Sequence, residues 1–260
     1  ATMEPPAATA KVGGGKAEIW ACVQSPGGTR GDVANLLGMK EADVTVNVTL
    51  LGGGFGRKSK CDFALEAAIL SRELGGTPVK VVWTREDDIR HGFYHSVSYQ
   101  HVTAGLDKNN KVVAWRHRSV SPSLMSNFMP DPKRESALEL GLGLIDTPFD
   151  VPNLRLETGE AVSKTRIGWF RSVNNIPHAF AMQSMVAELA AELGRDPKDF
   201  LLEMIGPARI VDPRKTVTSE LWNYGDPWET YPIDTGRLRR VVERAAKEAG
   251  WGRKLPAGHG

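Results

Sequence analysis

The sequence has no strong charge of one sign, no long apolar run, few cysteines and no repeat, and each absence removes a class of function. Lys and Arg total 33 against 31 Asp and Glu, a formal charge of +2. With the basic residues dispersed, that balance excludes an electrostatic case for nucleic acid. No apolar run approaches the length of a membrane span, and the N-terminus lacks the pattern of a signal peptide. The two cysteines, Cys22 and Cys61, do not form a metal spacing and leave the redox compartment open. What remains is an ordinary globular composition, 41% hydrophobic and 25% charged, over 260 residues that suffice for one large domain or two small ones. The opening Ala1-Thr2-Met3-Glu4-Pro5-Pro6 and the stop soon after a helix, in Leu255-Pro256-Ala257-Gly258-His259-Gly260, predict an internal segment of a longer polypeptide.

Against that background the run Leu50-Leu51-Gly52-Gly53-Gly54-Phe55-Gly56, followed by Arg57-Lys58, stands out. It follows an alternating β-branched stretch, Val44 to Thr49, and leads into a helical segment from Asp62 to Leu74. A strand that breaks into glycines before a helix brings backbone N–H groups against an anionic or oxygen-rich ligand, because glycine tolerates positive φ and has no Cβ. A Rossmann G-x-G-x-x-G needs glycine where Arg57 stands, and a P-loop needs Gly-Lys-Ser/Thr where Gly56-Arg57-Lys58-Ser59 is found. The bland alternative is a tight strand–helix connection without a ligand. The phenylalanine inside the run and the two cations after it favour a ligand.

Around this loop the sequence predicts strands over Ile19–Gln24, 44–49, Val79–Trp83, Ser96–Leu106 and Val112–Val120, with a hairpin turn at Asp107-Lys108-Asn109-Asn110. Ser25-Pro26-Gly27-Gly28 ends the first strand, and Thr84-Arg85-Glu86-Asp87-Asp88 reads as a polar turn or cap. Helices are expected over Asp32–Leu37, 62–74, Ala179–Leu193 and Thr235–Ala249. Helices and strands that alternate and then give way to adjacent antiparallel strands indicate an α+β fold, a mixed sheet with packed helices. Three stretches are distinguished within the single segment 1–260: a β/α core with the glycine loop over 1–120, an irregular crossing over 121–178, and a helical part over 179–260. Met182 and Met185 read as core filler, and Trp20, Trp83 and Trp115 as core. His91 and His95 suit a metal only on a helix, which Gly92 and Phe93-Tyr94 oppose. Gln24 at a strand end and Arg171, within Trp169-Phe170-Arg171-Ser172-Val173-Asn174-Asn175, are polar side chains suited to an oxygen-rich ligand, with a surface salt bridge as the plainer role for the arginine.

Several of these stretches, in this order, resemble the molybdopterin-binding large subunit of the xanthine dehydrogenase and aldehyde oxidase family, in the branch of the isoquinoline 1-oxidoreductase β-subunit and membrane-associated aldehyde dehydrogenases. They are Met3-Glu4-Pro5-Pro6-Ala7-Ala8-Thr9-Ala10, Val23-Gln24-Ser25-Pro26, the glycine run with Arg57-Lys58, Pro78 to Asp88, Val151-Pro152-Asn153, Phe170-Arg171-Ser172-Val173, and helix 179–193 with Gly194-Arg195-Asp196-Pro197. The resemblance implies a partial molybdopterin-binding domain of the xanthine oxidase type, and, in the intact enzyme, molybdopterin cytosine dinucleotide as cofactor. It implies oxidation of aldehydes or N-heterocycles with water-derived oxygen, a 2Fe-2S partner subunit and a downstream acceptor such as a cytochrome c. By position, Gln24 matches the glutamine facing a molybdenum oxygen ligand, Gly53, Gly54, Phe55 and Gly56 match the loop approaching the metal and pterin, and Arg171 matches an arginine near the cofactor.

Two departures qualify the likeness. Ser59, a candidate for the substrate pocket, stands where purine-oxidising members carry glutamate, so xanthine is not the expected substrate. The family's base is a glutamate in a Gly-Glu motif far toward the C-terminus of the full subunit. No catalytic residue is therefore assigned within these residues, and the isolated segment is expected to be inactive and without cofactor. The rival reading is a non-catalytic binding or assembly domain that uses the glycine loop for an anion or a partner chain. The resemblance adds an expectation of periplasm or membrane periphery that the residues themselves do not supply.

Overall fold

The computed structural model of the chain describes residues 1–259, in two compact units. The first comprises Ala1–Ser96 with Ser163–Arg171. Its sheet is built from β1 (Ala7–Gly13), β2 (Lys16–Ala21), β3 (Val44–Val48) and β4 (Val79–Val82) in the order β3-β2-β1-β4. β1 runs antiparallel to β2 and β4, whereas β2 and β3 are parallel, so the sheet is mixed. β1 alternates buried and accessible residues, which turns Ala8, Ala10 and Val12 toward one face. Against that core pack Phe63, Ala64, Ala67 and Ala68 of α2 (Asp62–Glu73) and Val33 and Ala34 of α1 (Pro26–Leu37). Alanines on both sides let helix and sheet approach closely. Buried Ser71 Oγ accepts from the Val12 N–H at 2.9 Å and donates to the Thr77 carbonyl at 2.8 Å, which ties α2 to the sheet.

Local expectations change around Gln24 and after β4, while the one for His91 and His95 holds. The strand before Gln24 ends at Ala21, and Ser25-Pro26-Gly27-Gly28 opens α1 instead of merely closing a strand. Proline in a first helical turn has no N–H to lose, so a breaker signal becomes a start signal. The polar stretch after β4 is α3 (Arg85–His91), begun by a capping box in which Thr84 and Asp87 satisfy each other's backbone N–H. His91 closes that helix while His95 lies in a two-residue strand, Tyr94–His95, paired with Ile167–Gly168, so the two histidines share no helical face.

The second unit comprises Val97–Val162 with the residues after Arg171. β5 (Tyr99–Leu106) and β6 (Val112–Val120) form the predicted hairpin, and β7 (Asn153–Thr158) adds parallel to β6. The short α4 (Ala137–Leu140) is followed by α5 (Asn175–Glu192), α6 (Pro197–Ile205) and α7 (Thr235–Ala249). Trp115 meets Phe149 edge-on at 5.6 Å in a core with Met182, Val186, Ala190 and Phe200. Met182 is buried and Met185 packs against the same cluster, as their spacing predicts. α6 lies outside the helices expected from the sequence; its N-terminus is marked by Asp196, which accepts from the Asp199 N–H at 3.0 Å, and by Pro197. Among the described residues no helix is long and apolar enough to cross a membrane.

Beneath β5 and β6 lies a buried polar chain. His117 Nε2 meets Gln100 Oε1 at 2.7 Å, Gln100 donates to Ser119 Oγ at 2.8 Å, and Ser119 donates to Glu135 at 2.7 Å. Asn174 donates to the other Glu135 oxygen at 2.9 Å, and His178 Nδ1 faces the Leu142 carbonyl at 2.8 Å. Burial, with His178 nearby, pushes His117 from 6.5 down to about 4. Burial also pushes Asp146 from 3.8 up to about 6, against a hydrogen bond from the Gly143 N–H. Between those His117 values the unfolded chain takes up a proton that the fold refuses, so acid costs stability. For Asp146 the fold holds the proton more tightly, so acid adds stability. The two slopes oppose each other. Asp146→Asn removes the second, and between pH 7 and 4 this variant is expected to lose about 2 kcal/mol more unfolding free energy than the parent. Urea unfolding across that range measures the difference, and equal losses would contradict it.

Candidate functional site

The glycine loop emerges from β3 in the first unit. Thr49 still donates to the Ala21 carbonyl at 3.1 Å, after which regular pairing ends. The chain then turns through Gly53 (φ 99°), Phe55 (φ 50°) and Gly56 (φ 93°), conformations in which side chains are strained and glycine is not. The N–H groups of Gly53, Gly54 and Phe55 donate to no group among the described residues. These donors are open to a ligand or to water.

Gln24, just after β2, closes one side of the corner. Its Oε1 accepts from the Gly56 N–H at 3.0 Å, and its own N–H donates to the Lys58 carbonyl at 2.9 Å. A Cβ on Gly54 would lie 2.3 Å from Gln24 Oε1, and one on Gly56 would lie 2.5 Å from the Trp169 carbonyl oxygen. Gly56, at positive φ against a backbone carbonyl, therefore demands glycine, whereas a side chain at Gly54 would have to displace Gln24. Phe55 is half exposed, and the Arg171 guanidinium stands 5.6 Å over its ring. The structure thus brings Gln24, Gly53, Gly54, Phe55, Gly56 and Arg171 together within the first unit. Ser59 lies at the end of the same turn, half-buried, with its N–H on the Gly56 carbonyl at 3.1 Å.

The two cations after the glycines turn out to be internal. Arg57 forks onto Asp62 at 2.9 and 3.0 Å and lies between Trp83 and Phe93, 5.4 and 5.3 Å from their ring centres. Lys58 is fully buried and pairs with Glu4, whose carboxylate also accepts from the Gly52 N–H at 2.9 Å. These side chains hold the loop rather than line a ligand face. Glu4 belongs to a stretch singled out from the sequence, but no local spacing links it to a loop 48 residues away. Cys61 is buried and carries no activated thiol: burial and its contact with Asp32 push it up to about 12.

Residues 1–203 match the molybdopterin cofactor-binding domain, and the chain belongs to that family. It is 31% identical over 209 residues to the isoquinoline 1-oxidoreductase subunit beta of Brevundimonas diminuta, an alignment that covers 78% of this chain and 26% of the relative. A membrane-bound aldehyde dehydrogenase (pyrroloquinoline-quinone) of Gluconacetobacter polyoxogenes is 29% identical over 233 residues, 85% of this chain and 28% of that one. The chain spans about a quarter of the length of these two relatives. Among solved structures, the aldehyde oxidoreductase from Desulfovibrio gigas shares the fold at a TM-score of 0.70 and 18% identity, over 98% of this chain and 27% of that one. The mixed-sheet α+β architecture predicted from the sequence is thus the fold of this family.

Proposed function

We propose that this chain forms one wall of the cofactor site in a molybdenum hydroxylase large subunit that oxidises aldehydes or N-heterocycles with oxygen from water. The observation that carries the proposal is the glycine corner: three unused N–H donors beside a glutamine that is itself fixed by the Gly56 N–H. The donor set fits the group. Peptide N–H and amide donors suit oxygen and pterin acceptors, and the missing Cβ atoms of Gly54 and Gly56 let the Gln24 amide and the Trp169 carbonyl pack directly against the loop. When bound, the molybdenum cofactor supplies the redox chemistry, accepting electrons from the substrate carbon. Molybdopterin cytosine dinucleotide is the proposed form.

The geometry supports the following roles for the chain's own residues. With Oε1 engaged by Gly56, Gln24 keeps its Nε2 protons as donors for a ligand. Gly53, Gly54 and Phe55 add backbone N–H groups, and Arg171, held over the Phe55 ring, adds positive charge at the edge. Ser59 is the proposed substrate-pocket residue. The general base is assigned to a glutamate outside these residues, and the isolated chain is proposed to be inactive and to hold no cofactor. A 2Fe-2S partner subunit and an acceptor such as a cytochrome c would carry electrons away, and the relatives' names support aldehydes or N-heterocycles as the substrate class.

Gln24→Ala in the intact subunit tests the assignment. A preorganised donor contributes on the order of 10²-fold to kcat, so the variant should lose about that factor while retaining most of its molybdenum. An unchanged kcat with either class of substrate would remove Gln24 from the site.

A further inference from the structure

The loop's outer half is fastened by contacts that no local pattern announces. Glu4 and Gly52 are joined twice, the Glu4 N–H donating to the Gly52 carbonyl at 3.2 Å and the Gly52 N–H donating to the Glu4 carboxylate at 2.9 Å. The same carboxylate oxygen pairs with the ammonium of Lys58, which has no solvent exposure. Lys58 in turn offers its carbonyl to the Gln24 N–H, and Gln24 holds the Gly56 N–H. These contacts close a ring, Glu4–Gly52 on one side and Gly56–Gln24–Lys58 on the other, around the residues whose N–H groups are unused.

A buried ammonium with a single carboxylate partner is a costly choice if the only need is a stable fold, since an apolar side chain of similar volume serves stability equally well. What the charge adds is direction: the carboxylate must sit where it also receives the Gly52 N–H. Glu4 is accordingly held below the ordinary carboxylate range, first by its hydrogen bond to Lys58 and further by the Gly52 N–H, against its own burial.

We infer that Glu4 and Lys58 are positioning residues, an ionic clamp with a buried ammonium and a partly exposed carboxylate that preorganises the glycine-loop N–H groups for the ligand. This rests on the proposed cofactor site, but the clamp's effect on the loop can be read without it. Three variants of the intact subunit separate position from stability: Glu4→Gln, Lys58→Met and the double variant. Glu4→Gln leaves Lys58 buried without a counter-charge and should lower the melting temperature. The double variant removes both charges, so its melting temperature should return close to the parent's.

The readout that a merely structural role would not move is hydrogen exchange of the Gly52 and Gly56 amides, the hydrogen-bonded ones of the loop, in the cofactor-free protein. In the double variant those amides should exchange roughly tenfold or more faster than in the parent, because local opening is eased while global stability is restored. Molybdenum content after reconstitution should fall with it. Parental exchange rates in the double variant would overturn the clamp. Faster exchange in a subunit that takes up no molybdenum even as the parent would uphold the clamp and sink the functional reading.

Discussion

Gly54→Val in the intact subunit is expected to empty the site of molybdenum without unfolding the protein. Even the first carbon of a side chain at this position would fall 2.3 Å from Gln24 Oε1 and 2.5 Å from its Cδ, so Gln24 or the loop must move. A shift of Gln24 alone breaks only the 3.0 Å bond from Gly56; the branched side chain of valine is expected to displace the loop itself, which turns the neighbouring N–H donors away. The loop sits at the sheet's end, outside the apolar core that β1 shares with α2, so that packing is untouched. The expected result is molybdenum below about a tenth of the parent's, the loss produced by about 1.4 kcal/mol of weakened binding at limiting cofactor. Circular dichroism should remain that of the parent. Elemental analysis of purified protein gives the answer, and a parental molybdenum content would mean the loop does not face the cofactor.

Arg57→Met should have the largest effect on stability. The arginine is buried, its fork satisfies Asp62, its Nε faces Asp88 at 3.9 Å, and two aromatic rings flank its plane. Methionine fills part of the volume but leaves carboxylates facing a hole in the positive charge. Breaking a buried pair from one side costs about 3–5 kcal/mol, and Asp88 keeps Arg85 as a second partner, which places the expectation at about 3 kcal/mol. Urea unfolding checks it. Arg57→Lys should recover little, because an ammonium cannot form the fork or stack between the rings.

Much of this architecture was legible because it is written in local period and turn chemistry. Val44–Val48 alternates, α7 repeats Leu238, Val241, Val242 and Ala245 on one face, and Asp107-Lys108-Asn109-Asn110 leaves few choices but a hairpin. The glycine corner was legible for the same reason, and its positive-φ residues lie where the run predicts them. α6 and the start of α1 were missed where proline reads as punctuation, although proline in a first turn is compatible with a helix. The burial of Arg57 and Lys58 was not legible at all. A cation pair after a glycine run looks like a ligand contact, and its internal role depends on Glu4, 54 residues before Lys58, and on rings at Trp83 and Phe93. Such pairings belong to the tertiary fold and leave no spacing signal.

The most direct test of the central claim is the content of the intact wild-type subunit, produced in molybdate-supplied cells and denatured after purification. The account predicts molybdenum close to stoichiometric with the subunit and release of a cytidine nucleotide with the pterin. A folded subunit with its glycine corner intact, yet carrying neither molybdenum nor pterin, would contradict it.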